Sequence, residues 1–171
     1  LTTTAPQLVP DVLEPGLEIV FCGTALSKAS YEKRAYYANP GNRFWPTLHA
    51  VGLTPRRLAP EEFRIVTEFG FGLTDVCKTA WGQDAELDDS DFDPISLRTK
   101  IEHFAPHVLA FTSKRAASEF LGHPSDYGWQ PDHISSTRLF VLPSTSGLAT
   151  RFWDISYWQQ LADSVRAQVG G

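Results

Sequence analysis

The chain has 171 residues, 42% of them hydrophobic, and its 20 acidic against 15 basic side chains give a formal charge of −5. The length fits one domain of the usual ~100–200 residues with an ordinary core, and no apolar run approaches the ~18 residues of a membrane-spanning helix. Cys22 and Cys77 are too few for a disulfide scaffold or a four-cysteine iron–sulfur cluster and lack metal-ligand spacing, so they read as buried thiols of a reducing cytoplasm.

Residues 1–10 and the final Gly170-Gly171 read as frayed ends around a single domain, residues 11–169. No basic-then-apolar leader opens the sequence. Residues 17–23, Leu-Glu-Ile-Val-Phe-Cys-Gly, predict a strand buried on both faces, followed by a loop to Pro40. Residues 42–51 predict a helix capped by Gly52. Residues 60–67 predict another, with Pro60 in its first turn and Glu61 and Glu62 at its positive end. A short strand is expected over 71–76 and a polar, acidic loop over 78–93. Pro94 opens a helix over 94–104, residues 106–112 form a buried strand, and Ser113 N-caps a helix over 114–121. A strand is expected over 139–142 and a final helix over 156–168, with Trp158, Leu161 and Val165 on one face.

Strands alternating with helices predict an α/β three-layer sandwich, a mainly parallel central sheet of about four to five strands flanked by helices. Such sheets bind ligands at the carboxyl ends of their strands. Four junctions fall there: after Gly23, after Thr74, at Thr112-Ser113-Lys114, and after Leu142.

The net acidity argues against a broadly basic nucleic-acid binder, yet phosphate contacts need only a local basic patch. The acid is concentrated in Asp84, Glu86, Asp88, Asp89, Asp91 and Asp93, whereas Lys28, Lys33, Arg34, Arg43, Lys114, Arg115 and Arg151 are dispersed. Of the 5 histidines only His103 and His107 have ligand-like spacing, and Pro106 breaks the helix that would align them. No metal, iron–sulfur cluster or other cofactor is expected. No Gly-x-Ser-x-Gly elbow is present to make Ser144 or Ser146 a hydrolase nucleophile.

Three stretches stand out: Pro15-Gly16-Leu17 leading through the first strand to Gly23; Ala38-Asn39-Pro40-Gly41-Asn42-Arg43-Phe44-Trp45; and Leu142-Pro143-Ser144-Thr145-Ser146-Gly147-Leu148. In this order and at these separations they resemble the mismatch-specific uracil/thymine DNA glycosylase family of the uracil-DNA glycosylase superfamily. The resemblance spans about residues 10–168. It implies a uracil-DNA glycosylase-like fold and a monomer acting on double-stranded DNA that carries a uracil mismatch, in a bacterial-type cytoplasm at the nucleoid. It further implies a monofunctional enzyme that flips uracil, with thymine or etheno-cytosine opposite guanine as further substrates, and leaves an abasic site for base excision repair.

A base buried in a duplex must be extruded into a pocket to be cut. The resemblance makes Leu148 the wedge that fills the gap, beside Ser146 and Gly147, with Arg151 and Lys114 on the loop or a phosphate. Tyr37 is the expected stacking face for the pyrimidine, with Tyr36 its competitor and Asn39 close by. Ser30 and the backbone of Gly23, Thr24, Ala25 and Ser27 are placed to bind the pyrimidine edge, and Ser144 to donate to the leaving base. The family's asparagine, which positions the attacking water, is replaced here by Ala25. A carboxylate is the natural substitute, since it can orient water and stabilise a cationic sugar. Asp75, at a strand's carboxyl end, and Asp93, stiffened by Pro94, are the candidates, with a slight preference for Asp93. Ala25 also keeps open a weakly active or inactive protein that binds lesions or abasic DNA.

Overall fold

The computed structural model describes residues 7–83 and 86–169, the last four as backbone only. Asp84 of the acidic loop, residues 1–6 of the expected N-terminal fray and the terminal Gly170-Gly171 lie outside the described residues. Residues 7–10 are docked: Val9 is buried, the Leu8 amide donates to Lys78 O (3.0 Å), and Pro10 O accepts from the Tyr36 hydroxyl (3.1 Å).

Five strands form one sheet in the order β2-β1-β3-β5-β4, where β1 is Ile19–Gly23, β2 Phe71–Asp75, β3 Val108–Phe111, β4 Gly128–Ile134 and β5 Thr137–Val141. The β1–β2, β1–β3 and β3–β5 pairs are parallel, and only β4 runs antiparallel, at the edge. Because successive side chains of a strand point to opposite faces, β1 feeds two cores. Ile19 and Phe21 join Phe44, Phe63, Phe140 and Trp158 on one face. Val20 and Cys22 join Leu97, Ile101, Phe111 and Phe120 on the other. A strand buried on both faces must read as an unbroken apolar run, which is how this one reads.

The helices are α1 (Lys28–Lys33), α2 (Phe44–Ala50), α3 (Pro94–Phe104), α4 (Lys114–Leu121) and α5 (Ile155–Val169). Ser113 Oγ accepts the Ala116 amide and caps α4, as its sequence position predicts. Three expectations are corrected. The stretch from Pro60 to Phe69 is a 3-10 helix, closed by Gly70 at φ 90°. The loop after β1 contains α1, capped by the Ser27 hydroxyl on the Ser30 amide. The edge strand β4 is additional: its Gln130-Pro131-Asp132-His133 lacks apolar alternation, and the register shifts between Trp129 and His133. Edge positions tolerate proline because one side of the strand needs no ladder partner. Among the described residues no helix is long and apolar enough to cross a membrane.

Candidate active site

The carboxyl ends of β1, β2 and β3 open into a cavity of about 830 Å³. Its walls come from the loop after β1, the Tyr36 to Asn42 segment, Asp75, Trp81 to Gln83, Glu86, the Thr112–Arg115 junction and the Ser144–Ala149 loop. They include residues from all four strand-end junctions singled out from the sequence.

The floor is built around Gly23. A Cβ there would lie 2.6 Å from Asp75 Oδ1, 3.1 Å from the Tyr37 hydroxyl and 3.5 Å from Thr112 Oγ1. Three polar groups from β2, the pre-α2 segment and the residue after β3 therefore converge where only glycine leaves room. The Tyr37 and Thr112 hydroxyls are 2.9 Å apart, and Thr24 Oγ1 is 3.0 Å from Ser113 Oγ. Tyr37 holds a left-handed backbone (φ 52°), uncommon for a non-glycine residue. Its ring stacks on Phe44 at 3.9 Å and 17°, so Phe44 covers one face of the ring.

Asp75 is buried, 4% exposed. Burial pushes its carboxyl up to about 7, and nearby Asp11 adds to the rise, while Lys78, the Gly23 backbone and Lys100 pull the other way. Asp75 Oδ2 has no hydrogen-bond partner among the described residues. Lys78 Nζ forms a long ion pair with it at 3.9 Å, too far for a hydrogen bond. A carboxylate poised near neutral pH on a cavity floor is the kind of group that handles protons.

Asp93 sits elsewhere. Its side chain is exposed and caps α3 by accepting the Ser96 amide (3.0 Å), and it does not line the cavity. The Asp-Pro pair serves helix initiation, and of the two candidate carboxylates Asp75 is the one that lines the cavity. Arg151 is also outside the lining, with its guanidinium 5.6 Å from the Phe152 ring centre.

Of the other candidates, Thr24, Ala25, Ser27, Ser30, Tyr37, Asn39, Lys114, Ser144, Ser146, Gly147 and Leu148 all line the cavity. Several are already engaged. Ser30 Oγ accepts the Ala38 amide (3.0 Å) and Asn39 Oδ1 the Gly41 amide (2.9 Å), so both shape the loop. Lys114 is exposed, with its ammonium over the Tyr127 ring. Tyr36, the competitor of Tyr37, is buried at 1% exposure, and its hydroxyl accepts from Lys78 (2.6 Å).

The Ser144–Leu148 segment is stiffened from within: Ser144 Oγ accepts the Ser146 amide and Ser146 Oγ the Leu148 amide, both at 3.2 Å. It continues as a 3-10 helix, Gly147–Phe152. A Cβ on Gly147 would come within 3.2 Å of Gly41 O, so the second and third motifs meet across the cavity mouth. Leu148 stands 81% exposed at that rim. Sequence reasoning missed Trp81, which lines the cavity, bridges to Leu26 and stacks on Tyr31 at 5.0 Å. An aromatic residue inside an otherwise polar acidic loop was the available signal.

A family model for the uracil DNA glycosylase superfamily matches residues 10–162. The chain belongs to that superfamily. It is also similar to the solution structure of a candidate uracil DNA glycosylase from Methanosarcina acetivorans, with a TM-score of 0.64 and 26% identity over 92% of this chain and 96% of that one. Superfamily members are DNA glycosylases acting on DNA, and the cavity just described lies wholly within the matched span. Among the described residues no group of three His, Cys, Asp or Glu side chains is placed to hold a metal ion.

Proposed function

We propose that the chain is a monofunctional, mismatch-specific uracil DNA glycosylase that extrudes uracil and hydrolyses its N-glycosidic bond with Asp75 in place of the missing asparagine. The observation that carries this reading is the buried Asp75 carboxyl lining the cavity with its Oδ2 free of hydrogen bonds among the described residues, where burial pushes its titration up to about 7. Ala25, in the loop after β1 that lines the same cavity, has no side-chain polar atom with which to hold water.

Cleavage of the bond builds positive charge on the sugar and negative charge on the departing base. In its ionised form Asp75 stabilises the first, orients the attacking water and accepts its proton. The Tyr37 and Thr112 hydroxyls and the backbone of the first loop are fixed dipoles for the base, aligned before it arrives, so little reorganisation accompanies the reaction. Leu148 fills the space the base vacates. Water is the nucleophile, so the product is an abasic site with an intact strand. Guanine opposite uracil is the preferred context, with thymine and etheno-cytosine opposite guanine as slower substrates.

A labelled duplex with one uracil opposite guanine or adenine, treated with hot alkali after incubation, tests the reading. Cutting that is faster opposite guanine is expected. No cutting with enzyme in excess would favour the rival reading, a lesion- or abasic-DNA-binding protein, for which Ala25 is the supporting observation.

Leu148→Ala is expected to slow single-turnover release from paired uracil about tenfold, the equivalent of ~1.4 kcal/mol and a fraction of the unstacking cost. Thermal stability should stay at the wild-type value, because the side chain is 81% exposed. An unchanged release rate would show that Leu148 is not the wedge.

A further inference from the structure

Behind Asp75 lies a compact cluster of charge from four parts of the chain: Asp11 in the N-terminal segment, Asp75 ending β2, Lys78 in the loop that follows, and Lys100 on α3. Their side chains are 12%, 4%, 10% and 23% exposed. Asp11 is the hub. Its Oδ1 accepts from the Thr74 hydroxyl (2.7 Å) and lies 3.1 Å from Lys78 Nζ, and its Oδ2 lies 2.8 Å from Lys100 Nζ. Lys78 also donates to the Tyr36 hydroxyl at 2.6 Å. Lys78 therefore faces two carboxylates and sits against Asp11, leaving Asp75 Oδ2 without a hydrogen bond among the described residues.

The hub is anchored. Val12 and Leu73 exchange both backbone hydrogen bonds at 2.9 Å, which clamps the residue after Asp11 to the middle of β2. Burial by itself would raise the Asp11 carboxyl, but Lys78, Lys100 and Thr74 together hold it below the usual carboxylate range, so it stays an anion. The other titratable groups around Asp75 are Cys22, Tyr36 and Tyr37, all pushed well up by burial and by Asp75 itself, so they stay neutral.

We propose that Asp11 is a positioning residue for the glycosylase site: by holding Lys78 and Lys100 it keeps Lys78 at the long edge of ion-pair distance from Asp75, whose carboxyl lines the cavity. The inference rests on the reading of Asp75 as the water-orienting carboxylate. Without Asp11, Lys78 would tighten its long 3.9 Å ion pair with Asp75 into a hydrogen-bonded one. Asp75 would then be a weaker base with one oxygen committed.

The test is a carboxyl-carbon NMR titration of Asp75 in the free protein, beside the pH profile of single-turnover uracil release. Wild type should titrate near 7. In Asp11→Asn the midpoint should fall to ~6 or below, because a cation approaches and a like charge is removed. The acid limb of the cleavage profile should move down with it, and the plateau rate should fall. Asp11→Glu should return the midpoint to near the wild-type value, which a purely structural role would not require. Lys78→Met should move it the opposite way, upward, and serves as the second test if Asp11→Asn does not fold. An Asp75 midpoint unchanged in Asp11→Asn, or in Lys78→Met, overturns the proposal whatever the cleavage result. A midpoint that moves while the cleavage profile stays in place instead overturns the reading of Asp75, and the catalytic role of Asp11 with it.

Discussion

Asp75→Asn is expected to lower the rate of uracil release at pH 8 by about 10²–10³-fold, the loss typical when one preorganised transition-state stabiliser is removed, and to leave duplex binding near the wild-type value. In the proposed role the carboxylate is the working form, so the wild-type rate should rise with pH through about 7, where burial places its titration. The variant loses that acid limb along with the rate. A stability change of known sign accompanies it. An aspartate unperturbed in the unfolded chain titrates near ~3.9, so folding favours the protonated form and stability falls as pH rises from about 4 to about 7. The neutral amide escapes this, and Asp75→Asn should melt higher than wild type at pH 8 and show little difference at pH 4. Lower activity with higher stability is the mark of a group held in an unfavourable environment for its chemistry. Asp93→Ala is the control. It removes an N-cap, worth ~1 kcal/mol, and should melt lower at unchanged turnover. If Asp93→Ala abolishes release and Asp75→Asn does not, the assignment of roles is reversed.

The difference between those two aspartates shows what a sequence can carry. Asp-Pro before a helical pattern fits both a rigid catalytic carboxylate and a helix cap, and only the position of the Ser96 amide separates them. Strand ends were legible because Ile19 to Cys22 and Val108 to Phe111 are apolar on both faces, which places Gly23 and Thr112 at the sheet's carboxyl edge. The Ser144–Leu148 loop was legible from its motif and from its place after a buried strand. The edge strand β4 was not, because a polar strand with Pro131 has no period to read. Nor was the pairing of Asp11 with Lys78 and Lys100. Those contacts join residues far apart in sequence, and nothing local to Asp11 distinguishes it from other acidic residues near a chain end.

The second large effect is structural and reaches the site through packing. Trp158→Ala should destabilise the fold by ~3–5 kcal/mol, the usual range for truncating a buried large aromatic, and lower Tm by ~6–20 °C at the ~2–4 °C per kcal/mol of a domain this size. Trp158 is fully buried on α5 and ties three site-bearing elements together. Its ring stacks on Phe21 of β1 (5.8 Å, 15°) and meets Phe44 of α2 edge-on (5.9 Å, 77°). Its indole N–H donates to Pro143 O (3.2 Å) at the root of the Ser144–Leu148 loop. Trp158→Phe separates these contributions: it retains an aromatic ring against Phe21 but orphans the Pro143 carbonyl, a loss of ~1–3 kcal/mol. Phe44 also supports the Tyr37 ring at 3.9 Å, so a cavity at Trp158 should loosen that ring as well as the loop. Uracil release measured well below the new Tm should therefore fall more in Trp158→Ala than in Trp158→Phe. A Trp158→Ala protein with wild-type Tm would show that this aromatic column does not organise the core. One with lowered Tm and wild-type release would show that Tyr37 and the loop are positioned independently of it.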